Sequence, residues 1–174
     1  MEFAVTDFRF PERIHAMAAD VLSACRANGL RVATAESCTG GLVAASLTDV
    51  AGSSDVVDRA FVTYNDGAKH EMLGVSTALL ETVGAVSDEV ARAMAEGALA
   101  HSHADVAVSV TGIAGPGGGD ADKPVGLVFL GIARRGKGAT SERRVFAGDR
   151  SAVRAGALAL ALEMLLAHTA TGAR

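Results

Sequence analysis

Tryptophan is absent from the 174 residues, and one tyrosine with six phenylalanines brings the aromatic share to only 4%. A core made without such bulk relies on small aliphatic side chains and on close approach of its elements. Cysteine is as scarce: Cys25 and Cys38 cannot form a framework of bridges, and the chain reads as a reduced, intracellular protein. Positive charge is not in excess. Sixteen Lys and Arg against twenty Asp and Glu give a net charge of −4 with neutral histidines. No basic block stands out, so the electrostatic footprint of a duplex-binding protein is missing and no nucleic-acid partner is expected. No run reaches the ~20 apolar residues that cross a bilayer; the most apolar, Ala155 to Ala167, is interrupted by Glu163 and reads as a core helix. The first ten residues carry Glu2, Asp7 and Arg9 in place of the basic and apolar regions of a signal peptide. Neither membrane nor export is expected, and the location is expected to be cytoplasmic.

What is present is 49% hydrophobic and 21% charged, the composition of one globular domain over residues 1–174. Ile14, Met17, Ala18, Val21, Leu22 and Cys25 repeat at helical spacing up to Asn28-Gly29, a helix stop. Leu30 to Glu36 alternates as a strand, breaks at Ser37-Cys38-Thr39-Gly40-Gly41, and gives way to helical spacing from Leu42 to Val50. Ala60 to Tyr64 is a second strand; helices follow over 68–73, 77–82 and 87–102. Asp105 to Val110 reads as a buried strand opening into a long, flexible, glycine-rich loop. Strands over 125–134 and 140–146 flank a hairpin signal at Arg135-Gly136-Lys137-Gly138, and Asp149 begins a closing helix to about His168. Alternation early and a hairpin late predict a three-layer α/β/α sandwich with a mixed sheet, in a single α/β domain.

Four segments could carry chemistry. In Thr34-Ala35-Glu36-Ser37-Cys38-Thr39-Gly40-Gly41, a hydroxyl at a strand-to-helix turn would meet free N–H groups and the positive end of a helix dipole. That suits a nucleophile and an oxyanion, whereas Ser37 or Thr39 could equally just cap the helix. Cys38 competes as nucleophile but could face the core. The second segment places Tyr64, the single tyrosine, at a strand end and Lys69 in the first turn of the next helix. A lysine there is disfavoured by the dipole; desolvated, it would approach neutrality, which a base activating serine requires. Alternatively the lysine is solvated and Tyr64 a packed ring. The third, Gly112 to Gly119 followed by Lys123-Pro124-Val125-Gly126, is an anion-binding or substrate-covering loop or a plain connector. It matches neither the Walker A nor the dinucleotide fingerprint. The fourth is Arg150 in the first turn of the last helix, a candidate clamp for carboxylate or phosphate.

The histidines, His15, His70, His101, His103 and His168, lie outside these segments, mostly on helices where a solvated face is the plain reading, so a Ser-His-Asp triad is not expected. No spacing suggests a metal site, and Asp55/Asp58 and Asp120/Asp122 read as solvated loop charges.

From about Arg13 to Leu166 the chain resembles the CinA C-terminal domain family, whose enzymes are nicotinamide-nucleotide amidases, also called NMN deamidases. The resemblance rests on the Thr34–Gly41 segment, Ala51-Gly52-Ser53-Ser54, Tyr64 with Lys69, Gly84-Ala85-Val86-Ser87, the Thr111–Gly119 loop, Lys123-Pro124-Val125-Gly126 and Gly148-Asp149-Arg150. Longer members carry a further N-terminal domain, for which 174 residues leave no space, so the chain is similar to the stand-alone form. The resemblance implies hydrolysis of nicotinamide mononucleotide to nicotinate mononucleotide and ammonia, without cofactor or metal, by a homo-oligomer. It implies Ser37 as nucleophile, Lys69 with Tyr64 as proton carriers, N–H groups at Thr39 and Gly40 around the oxyanion, and Thr111, Gly112 and Arg150 at the substrate. An alternative is a non-catalytic nucleotide-sensing or partner-binding domain linked to competence or DNA damage. The family's Tyr-Ser-Asn-Glu-x-Lys run is changed here to carry Asn65, Asp66 and Gly67, and a carboxylate at Asp66 would raise the pKa of Lys69 if the two pair.

Overall fold

A computed structural model describes residues 9–169. Its strands are β1 (Val32–Glu36), β2 (Val57–Val62), β3 (Val106–Gly112), β4 (Leu127–Arg134) and β5 (Gly138–Val145), and its helices α1 (Glu12–Asn28), α2 (Leu42–Thr48), α3 (Asp66–Leu73), α4 (Thr77–Val83), α5 (Asp88–Ala100) and α6 (Arg150–Thr169). They form one five-stranded sheet in the order β2-β1-β3-β4-β5. The first three strands run parallel, β4 is antiparallel to β3, and β5 is antiparallel to β4, as the late hairpin predicts. With helices on both faces, the three-layer mixed sandwich expected from the sequence is what the chain forms. Several boundaries move by two or three residues: β2 starts at Val57, for example, and α3 starts at Asp66 because the Asn65 side chain accepts the Ala68 N–H at 2.8 Å and so caps it earlier.

Alternation along the strands sorts side chains by size as well as by polarity. Val32, Val106, Val108, Val110, Val128, Leu130 and Ile132 point to one face, packing with Ile14, Val21 and Leu22 of α1 and Ala157, Leu158, Ala161 and Leu162 of α6. By composition α6 is long and apolar enough to cross a membrane, yet in this chain it is the core helix that the Glu163 interruption suggests. The opposite face carries Ala33, Ala35, Ala107 and Ala133 beneath α5, with Met94, Ala95 and Ala98 of that helix against them. There Ser109 Oγ donates to the Ala91 carbonyl at 2.5 Å, and a Cβ on Gly131 would overlap that same carbonyl. Close approach of α5 to the sheet is thus the physical counterpart of an alanine-rich, aromatic-poor sequence.

Candidate active site

The carboxyl ends of the three parallel strands meet at one place. The Ser37 N–H donates to the Val110 carbonyl at 2.9 Å, and the Thr63 N–H to the Glu36 carbonyl at 2.8 Å, so the turn after β1 is held between the ends of β3 and β2. From this turn the chain reaches β2 through α2 on the large-residue face and returns to β3 through α3, α4 and α5 on the other. Connections that leave toward opposite faces make this the kind of switch point at whose crevice open α/β sheets bind ligands.

The helix that follows is not capped by Ser37 or Thr39. Gly41 stands at the N-cap position without a side chain to use, and the carboxylate of fully buried Glu36 takes over the task. Glu36 accepts the N–H groups of Gly41 (3.0 Å), Val43 (3.1 Å) and Ala44 (2.9 Å) and the Thr34 hydroxyl (3.2 Å). The positive end of α2 is thereby compensated from within, and the serine is released from capping. Arg154 of α6 fixes the same turn from outside, donating to the carbonyls of Cys38 (3.1 Å) and Thr39 (2.9 Å). Sequence reasoning assigned no role to Glu36 or Arg154. The available signals were a carboxylate ending a strand just before a Gly-Gly helix start, and an arginine one turn beyond Arg150.

Ser37, 9% exposed, finds its partner on α3. The Lys69 Nζ lies 3.4 Å from Ser37 Oγ and 3.1 Å from the Thr63 carbonyl, to which it donates. Lys69 is only 2% exposed. Burial holds its amine below the ordinary lysine value, opposed by the nearby carboxylate of Asp66 and by Cys38. The solvated alternative for this lysine is therefore not what the chain adopts. Cys38, 6% exposed, faces the core, where burial pushes its thiol up to about 11 in spite of Arg150 and Arg154. A protonated thiol is a poor nucleophile.

Tyr64 is 59% exposed and its hydroxyl meets Arg150, which donates to it at 2.7 Å and to the Gly115 carbonyl at 2.9 Å. The tyrosine is thus bonded to Arg150 rather than to Ser37 or Lys69, and the arginine staples the glycine-rich loop to the end of β2. That loop is tied down further than a flexible connector would be. Asp120 accepts the N–H groups of Asp122 and Lys123, and Lys123 Nζ donates to the Val83 carbonyl at 2.7 Å. Thr111 donates its hydroxyl to the Ala85 carbonyl at 2.8 Å, anchoring the α4–α5 connection beside the site. Gly112 ends β3, where a Cβ would press against the Leu127 carbonyl. Gly40 donates its N–H to the Ser37 carbonyl at 2.9 Å, and the Thr39 hydroxyl is buried without a partner.

The histidines stand apart, though less solvated than expected: the Nδ1 atoms of His70, His101 and His168 are bonded to the carbonyls of Val75, Gly97 and Met164. Asp58 is likewise no solvated charge. It is buried between Arg31, Arg59 and the His103 N–H, which together hold its carboxyl below the usual range against the cost of burial.

Comparison with known proteins points the same way as this geometry. A family model describing the CinA C-terminal domain matches residues 14–169. A protein named nicotinamide-nucleotide amidohydrolase PncC from Enterobacter agglomerans is 50% identical over 155 residues, covering 89% of this chain and 94% of that one. The protein of the same name from Escherichia coli K12 is 53% identical over 143 residues, 82% of this chain and 86% of its own length. The chain also matches about a third of longer relatives, among them the CinA-like protein of Geobacter sulfurreducens, at 53% identity over 140 residues and 34% of that protein. The crystal structure of the competence/damage inducible protein CihA from Agrobacterium tumefaciens superposes with a TM-score of 0.89 at 51% identity, covering 92% of this chain and 98% of that one. With a family model spanning nearly all of its described residues and relatives at half identity over most of their length, the chain belongs to the CinA C-terminal domain family.

Proposed function

We propose that the chain is a nicotinamide-nucleotide amidase that converts nicotinamide mononucleotide and water to nicotinate mononucleotide and ammonia. The observation that carries the reading is the serine hydroxyl set 3.4 Å from a buried lysine amine, at the crevice end of the sheet. The two PncC relatives are named for this reaction. Uncharged Lys69 takes the Ser37 proton as Oγ attacks the amide carbon, which the cationic pyridinium makes more electrophilic. The lysine returns that proton to the leaving nitrogen, ammonia departs, and a serine ester remains. Water then attacks the ester with the same amine as base, releasing the carboxylate product and restoring the serine. Of the two N–H groups expected around the oxyanion, that of Gly40 is engaged within the turn, which leaves the Thr39 N–H for the task.

Tyr64 acts in this scheme through Arg150. A guanidinium has five N–H donors, so Arg150 keeps several for the 5'-phosphate while bridging Tyr64 and Gly115. Thr111 and Gly112 shape the floor beside it. The chain is proposed to assemble as a homo-oligomer, which sedimentation would show directly. The test of the chemistry is ammonia release from nicotinamide mononucleotide, with free nicotinamide and the dinucleotide as comparison substrates. Ser37→Ala is expected to lose turnover and Cys38→Ala to keep it; the reverse result overturns the serine. A folded wild type that binds the nucleotide and releases no ammonia overturns the amidase and leaves the nucleotide-sensing domain.

A further inference from the structure

Three groups lie within 4 Å of the Lys69 amine. Two of them are a neutral hydroxyl and a carbonyl, Ser37 and Thr63. The third is the carboxylate of Asp66, one turn back on α3, whose Oδ1 lies 3.9 Å from Nζ. That separation is too long for a hydrogen bond and well within the range of direct electrostatic attraction. The lysine side chain is 2% exposed and the Asp66 side chain 60% exposed, so the charge that faces the buried amine can be removed without opening the core.

Other groups around the amine leave Asp66 as the carboxylate acting on it. From the β1–α2 turn comes the Cys38 thiol. From β2 the contribution is the neutral Thr63 carbonyl, and α5 meets α3 through Gly97 under the Leu73 carbonyl. A surface cavity of about 280 Å³ is lined by Asp66 and His70 of α3 and by Glu81 of α4, and His70 is itself bonded to the Val75 carbonyl.

We propose that Asp66 is a positioning residue that acts on the reaction through Lys69: its carboxylate holds the proton on the amine and so sets the pH above which Ser37 can be activated. The inference rests on the amidase reading for its catalytic consequence, but its electrostatic part is read from the lysine alone. An exposed carboxylate at this distance changes the titration of a buried amine by roughly half to one pH unit, roughly three- to tenfold in the uncharged fraction below the midpoint. The effect weakens with salt because the carboxylate is exposed.

The experiment uses the intact chain and its Asp66→Asn variant. The sequence has three lysines, Lys69, Lys123 and Lys137, so ¹³C-labelled lysine gives three resolvable titrations by NMR. Lys69 is expected to titrate lower in Asp66→Asn by that amount, and the acid limb of kcat/KM for ammonia release is expected to move down equally, with both displacements shrinking at high ionic strength. A loss of helix stability alone would lower the rate at every pH and leave both midpoints in place. An unmoved Lys69 titration overturns the proposal, as does a moved titration with an unmoved acid limb. If the wild type releases no ammonia, the amidase reading falls by itself, and the NMR arm still decides whether Asp66 governs the lysine.

Discussion

Ser37 and Cys38 are adjacent and both poorly exposed, yet they meet different surroundings. The difference is direction: Ser37 Oγ meets an amine, while Cys38 turns into the core and keeps its proton up to about 11. At pH 7 that leaves roughly 10⁻⁴ of the thiol ionised. Lys69 shows the opposite pressure, since burial strips its proton more readily than water would. Between its lowered value and the ordinary lysine value, the unfolded chain binds a proton that the native chain does not, so native stability rises with pH through that window. Lys69→Met lacks this slope. Thermal unfolding across that window is expected to show the wild type gaining on Lys69→Met as the pH rises, by about 1.4 kcal/mol for each unit of lowering; parallel curves would show that the lysine is not depressed. Ser37 and Lys69 were legible in the sequence because both sit where a helix dipole makes their residue type informative. Arg154 was not, because an arginine inside a helix usually reads as a solvated charge.

The start of α2 shows why local rules of capping missed Glu36. Those rules look for a side chain immediately before the first helical residue. Here that place is held by Gly41, in the left-handed region at φ 98°, and the chain doubles back so that a residue five positions earlier reaches the free N–H groups. The expectation that Ser37 or Thr39 caps this helix fails for that reason, and its failure frees the hydroxyl for chemistry. Glu36→Ala would leave three buried or half-buried N–H groups without an acceptor, at a cost of about 2–4 kcal/mol. Denaturant unfolding is expected to show that loss, with Glu36→Gln recovering part of it through its remaining carbonyl oxygen. An Ala variant as stable as the wild type would mean that water substitutes for the carboxylate.

Across the whole molecule the sheet divides tolerance between its two sides. The early alternation of strands and helices and the late hairpin made the layers and the mixed sheet readable from the sequence, whereas the glycine-rich loop was misjudged as flexible because its tethers, Lys123 to Val83 and Arg150 to Gly115, join segments far apart in the chain. The small-residue side has no space to give. Gly131→Ala, which drives a methyl into the Ala91 carbonyl, is expected to lose about 1–3 kcal/mol. Val108→Ile on the opposite side should lose less, and equal losses measured by chemical unfolding would refute the asymmetry. The two guanidiniums of α6 carry a different consequence, one of order in time. Ser37, Tyr64 and Lys69 are synthesised early, whereas Arg150 and Arg154, which hold Tyr64, the loop and the turn carbonyls, leave the ribosome near the end. A nascent chain that ends before α6 therefore carries Ser37, Tyr64 and Lys69 but lacks the guanidiniums that tie Tyr64 to the glycine-rich loop and brace the turn after β1, so that this end of the sheet is completed last.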